Sequence, residues 1–88
     1  MIFQYFPDTD MLYIELCKGV GADAEEVAEG IVLDFDENRR IIGIEIEDAG
    51  KRADLSKLEI SSLPAANFIL NSNSAGAAVG AQAESPKA

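Results

Sequence analysis

Four oxygen-bearing side chains stand in a spacing that calcium loops use: Asp34, Asp36, Asn38 and Glu45 fall at positions 1, 3, 5 and 12 of the loop template, with Ile41 at position 8. Hard divalent cations take oxygen donors, so the residue types suit such an ion. The backbone does not. Position 6 needs glycine for a sharp turn and carries Arg39 here, and the flanking residues alternate as strands rather than helices. Asp34 and Asp36 also share one side of an extended segment, which reads more simply as a solvated strand face leading into a polar turn.

Asp8, Asp10, Asp34 and Asp36 invite a second reading, as paired carboxylates for acid/base work or hydrolysis. In a chain with 16 acidic residues such pairs arise readily by chance. A catalyst also needs a concave pocket and several cooperating roles. There is no histidine, and no Ser or Cys nucleophile sits beside a base; Cys17 reads as a strand residue among apolar neighbours. The expectation is a protein that is not an enzyme, with no cofactor and no bound metal. The alternative is a small acidic metal-binding protein or a hydrolase using surface carboxylates.

Charge narrows the partners. Residues 1–60 hold 6 Lys and Arg against 15 Asp and Glu, which accounts for the whole net charge of -9, while Glu84 and Lys87 balance in the remainder. Such a surface repels phosphate backbones and anionic lipid, so neither nucleic acid nor membrane is an expected partner, and a basic protein is electrostatically favoured. Arg39-Arg40 and Lys51-Arg52 are the only basic pairs, too few for a phosphate-binding stripe. A single cysteine forms no internal disulfide, and the N-terminal residues show neither a leader pattern nor a long apolar run. A cytoplasmic location is the expectation.

These side chains need elements to position them. Ile31 to Phe35 and Ile41 to Ile46 are apolar runs of strand length flanking Asp36-Glu37-Asn38-Arg39-Arg40, the pattern of a β-hairpin. An earlier hairpin joins Ile2 to Phe6 and Met11 to Cys17 through Pro7-Asp8-Thr9-Asp10, where proline fixes φ and Asp side chains bond nearby backbone. Between the hairpins, residues 18–29 form a longer connection, extended over 25–28 with a bulge near Gly30. Leu12, Ile14, Leu16, Ile31, Leu33, Phe35, Ile42, Ile44 and Ile46 share one apolar face by alternation. A helix over 54–63, capped by Asp54 and stopped by Pro64, is the element available to cover it. The expected fold is therefore α+β: a four-stranded antiparallel β-meander with one short C-terminal helix in a domain spanning 1–63. A poorly ordered, Ala/Ser/Asn/Gly-rich tail over 64–88 follows.

The opposite face is not properly polar, since Ile2, Phe6, Met11, Tyr13, Val32 and Ile41 fall on it. Gly43, in mid-strand, marks a close approach there, for which the ring of Tyr13 is the candidate. Small domains with thin cores commonly gain stability by oligomerising, so a homo-oligomer burying this second face is expected.

The words Asp10-Met11-Leu12-Tyr13-Ile14, Leu33-Asp34-Phe35-Asp36 and Gly43-Ile44-Glu45-Ile46, with Asp48 followed by Lys51-Arg52, carry a resemblance over residues 1–58. They resemble a small bacterial family classed only as a domain of unknown function. Phe6 departs from the acidic residue common before the turn proline, and the chain after Pro64 lies outside the pattern. The resemblance implies the strand meander with a C-terminal helix, and no activity, cofactor or catalytic residue. It also implies a likeness to relatives that look like the antitoxin half of two-gene toxin systems. The expected function is a non-catalytic protein-interaction module binding through Ile2, Met11, Tyr13, Val32 and Ile41, with acidic residues steering a basic partner.

Overall fold

A computed structural model describes residues 1–71. It divides the chain into two compact units, Met1–Leu58 and Glu59–Ala88. Of the expected tail, residues 64–71 carry no helix or strand, and 72–88 lie outside the described residues.

The first unit is one antiparallel sheet of five strands: β1 (Ile2–Phe6), β2 (Met11–Glu15), β3 (Asp23–Ala28), β4 (Ile31–Phe35) and β5 (Ile41–Ile46), followed by helix α1 (Ala49–Arg52). Both expected hairpins form, with Phe6 opposite Met11 in the first and Phe35 opposite Ile41 in the second. Each turn closes on itself, through Thr9 N–H to Phe6 O at 3.2 Å and Arg39 N–H to Asp36 O at 3.0 Å.

The strand count is five rather than four. Residues that read as part of a connection form β3, whose alternation of Asp, Ala and Glu offers no apolar face to detect. β3 lies at the sheet edge with every residue exposed, where burial imposes no such pattern. The expected bulge is present as a register shift between Glu26 and Ala28.

The order β1-β2-β5-β4-β3 also corrects the simple meander: β2 pairs with β5, not with β4. The connection from β2 to β3 therefore crosses one end of the sheet, and Gly19 passes so close to Ile42 that a Cβ there would stand 3.2 Å from its Cγ2. This crossing explains why Ile42 is among the few buried residues. Cys17 lies in it, beyond the end of β2, and is exposed rather than a strand residue.

The covering helix is the second correction. Residues 54–63 form no helix. Asp54 does accept a backbone hydrogen bond, but from Ser56 two residues on, at 3.0 Å, so it closes a local turn instead of opening a helix. A segment this short has little helical stability without a packed face. The helix that does form is the four-residue α1, which buries only Ala49. Its start is held from forty residues away: Ala49 N–H donates to Asp10 O at 2.8 Å, and Gly50 N–H donates to Asp10 Oδ1 at 3.0 Å. The Tyr5 hydroxyl donates to the same carboxylate at 2.8 Å, tying the first hairpin to the end of β5.

Registered pairs share a face, so the first face carries Phe3, Tyr5, Leu12, Ile14, Ile31, Leu33, Ile44 and Ile46. Its closed part is small. Among the described residues the buried apolar side chains are Phe35, Ile42 and Ala49, and Arg39 lies over the Phe35 ring at 4.3 Å while pairing with Asp23 at 3.1 Å.

At the opposite corner Gly30 adopts φ +80°, a left-handed conformation that L side chains resist. Its missing side chain seats the Arg52 guanidinium, whose Cζ would lie 2.6 Å from a Cβ, while Arg52 Nε–H donates to Glu47 O at 2.8 Å. Gly30→Ala is expected to cost about 1–3 kcal/mol, from the left-handed backbone and the displaced Arg52. Urea denaturation of the full chain measures it, and an unchanged midpoint would show that this corner carries no weight.

Candidate functional site

The second face is built by the same register: Ile2, Gln4 and Phe6 from β1, Met11, Tyr13 and Glu15 from β2, Val32 and Asp34 from β4, Gly43 and Glu45 from β5. Tyr13 is its centre. It stands between Gln4 and Glu45, and its ring lies across Gly43, where a Cβ would be 2.7 Å from Tyr13 Cζ. The mid-strand glycine thus admits the ring, as its position in the sequence suggested.

Polar groups gather around that ring. Asp34 lies opposite Gly43, and its charge acts on both Tyr13 and Glu45. Burial, then the Asp34 charge, push the Tyr13 hydroxyl above its ordinary value, with Glu15 and Glu45 adding to the effect. The same causes in the same order hold the Glu45 carboxyl above the usual range, Glu47 contributing last. A neighbouring carboxylate makes a carboxyl hold its proton more readily.

Four of the five expected contact residues share the second face, and the fifth, Ile41, does not. Ile2 is exposed, and Met11, Tyr13 and Val32 are half-buried on the second face. Ile41 is exposed, but an irregularity between Asp34 and Phe35 sets it opposite Phe35, a residue of the first face. Strict alternation puts Ile41 on the second face; the extra residue in β5 interrupts that alternation. Alternation in the sequence also sets Glu15, Asp34 and Glu45 on this face, but the expected contact set left out their grouping around Tyr13. The spacing of Gly43 and Tyr13 held the signal, since a ring over a glycine lies beside the glycine's cross-strand neighbours.

The metal candidates separate. Asp34 and Glu45 meet beside Tyr13, whereas Asp36 is committed to the second turn. Its carboxylate accepts from Asn38 N–H at 2.8 Å, Arg40 N–H at 2.9 Å and Arg40 Nε–H at 3.1 Å. Asn38 contributes its backbone to this turn. Among the described residues no group of three or more His, Cys, Asp or Glu is arranged to hold a metal ion. Asp10 is likewise engaged at the start of α1, away from any carboxylate pair with Asp36.

The hydrogen bonds to Asp36, the Arg40 backbone bond foremost, hold its carboxyl below the ordinary 3.8. A lowered folded value means the stabilisation is fully present above 3.8 and is lost as pH falls through the lower folded value. Glu45 has the opposite sign. Its contribution is present below 4.5 and lost as pH rises through its elevated folded value. Carboxyl NMR titration is expected to place the Asp36 midpoint below 3.8 and that of Glu45 above 4.5. Ordinary midpoints for both would remove the turn bonds and the Asp34 contact from the solution structure.

No curated protein and no solved structure matches this chain. A family model does match, over residues 2–49, ending nine residues short of the span the sequence resemblance suggested. That match takes in all five strands and the first residue of α1. Covering more than half of the 88 residues, it places the chain in the family described as protein of unknown function (DUF2283), to which this protein belongs.

Proposed function

We propose that this chain is a non-catalytic protein-interaction module whose contact surface is the second face of its sheet. The observation that carries this reading is that, among the described residues of the unit Met1–Leu58, no second layer packs on the sheet. Among the described residues the sheet stands with three buried apolar side chains, and globular domains ordinarily pack two layers about a core. A surface of Ile2, Phe6, Met11 and Val32 framed by Glu15, Asp34 and Glu45 suits a partner that is apolar at its centre and basic at its rim.

The favoured occupant is a small basic protein, and the mechanism is occlusion: the sheet face covers the partner's working surface, as an antitoxin-like protein would. A second copy on the same face, giving a plain homo-oligomer, is the other protein occupant this surface accepts. No helix among the described residues is long and apolar enough to cross a membrane. The net charge of -9 argues against nucleic acid. A cytoplasmic setting belongs to the same reading, supported by the single free Cys17.

The test is capture from native cytosol on the immobilised full chain, with Met11→Asp/Val32→Asp as the control and mass spectrometry as the readout. The wild-type chain is expected to retain a small basic protein, and the variant to lose it at least tenfold. Recovery of the chain alone assigns the face to self-association. Equal recovery on both proteins, or an ion or small molecule that survives purification in place of a protein, overturns the interaction reading.

A further inference from the structure

The two edges of the sheet differ, and the difference points to self-association through one of them. β3, at one edge, carries Asp23, Glu25 and Glu26, a register shift, and Arg39 laid across Asp23 and Glu25 at 3.1 and 4.0 Å. Charges and bulges are the devices by which sheets prevent another strand from adding. β1, at the other edge, has none of them. Its sequence Ile-Phe-Gln-Tyr-Phe holds no charge, proline or glycine, its register with β2 is unbroken over five pairs, and all five residues are exposed. Among the described residues no strand pairs with its outer side.

We propose that β1 pairs antiparallel with β1 of a second copy, joining two five-stranded sheets into one of ten strands about a two-fold axis at Gln4. Charge selects this occupant. β1 is the one strand of the sheet without a carboxylate, so in a chain of net charge -9 it is the strand at which two copies meet without setting acid against acid. The symmetric register is also self-complementary. It sets Gln4 opposite its own copy, Phe3 opposite the second copy's Tyr5, and Ile2 opposite its Phe6, and aromatic and aliphatic cross-strand pairs of this kind are favourable. Alternate residues of an edge strand direct N–H and C=O outward, so the pairing supplies roughly four to six new backbone hydrogen bonds. An axis perpendicular to the sheet keeps like faces on one side, so the pair presents each face twice.

This inference concerns the edge and goes beyond the face reading above; because Gln4 also lies on the second face, contacts between copies at Phe3 and Tyr5, on the first face, are what separate the two. Sedimentation equilibrium of the full chain is expected to show a dimer in the micromolar range, twice the 9.4 kDa of one chain. Gln4→Lys and Gln4→Glu, each placing like charges at the axis, are expected to weaken the dimer at least tenfold on their own. An equimolar mixture of the two variants is expected to restore dimers as mixed pairs, a rescue that a damaged fold does not give. In a sample mixing labelled and unlabelled chains, Phe3 and Tyr5 rings of different copies are expected to show direct NMR contacts. A monomer at 100 μM overturns the proposal. So does a dimer that survives Gln4→Lys but dissociates in Met11→Asp/Val32→Asp, a result that would leave the face reading standing.

Discussion

The unit Met1–Leu58 depends on a sheet that, among its own described residues, holds itself together without a second layer. A conventional small domain stacks a second layer on its apolar face and draws its stability from the closed core. Here α1 is one turn long and covers a single alanine, and the segment that might have supplied a layer closes a local turn at Asp54 and Ser56 instead. Cohesion therefore falls to the hydrogen-bonded ladder, to cross-strand side-chain pairs and to the corners where turns are fastened.

Those fastenings share a chemistry. Three carboxylates close three corners: Asp10 gathers Tyr5 and the start of α1, Asp36 gathers three donors in its own turn, and Glu26 receives the Gly30 N–H at 3.0 Å. Ionised carboxylates accept several strong hydrogen bonds at little steric cost, which suits a structure with few buried atoms to spare. Some of the acidic excess is thus structural. The acids around Tyr13 are a separate population, set among apolar side chains.

How far the sequence could be read follows from where burial writes a pattern. Ile31–Phe35 and Ile41–Ile46 sit in the middle of the sheet with one face apolar, and their alternation made the hairpin plain. Gly43 was legible for a related reason: a glycine inside a strand needs a neighbour to occupy its space, and Tyr13 does. β3 escaped because an exposed edge strand has no buried side to alternate with. The Ile41 position slipped because a bulge changes the side-chain count without altering composition. The reach of Asp10 to Gly50 joins residues forty apart, a distance no local rule spans. The helix over 54–63 was expected because capping and spacing were right, but such signals do not outweigh the nucleation cost of a short helix with nothing packed against it.

The guarded flank has one more consequence, for how this material behaves when concentrated. A sheet open on both sides can recruit copies without limit, the geometry of a growing fibril. With Asp23, Glu25 and Glu26 barring one flank, lateral addition has a single port, and an antiparallel partner fills it for both molecules at once. In the dimer proposed above, assembly along the sheet would thus terminate at a finite particle, leaving no sticky end to propagate.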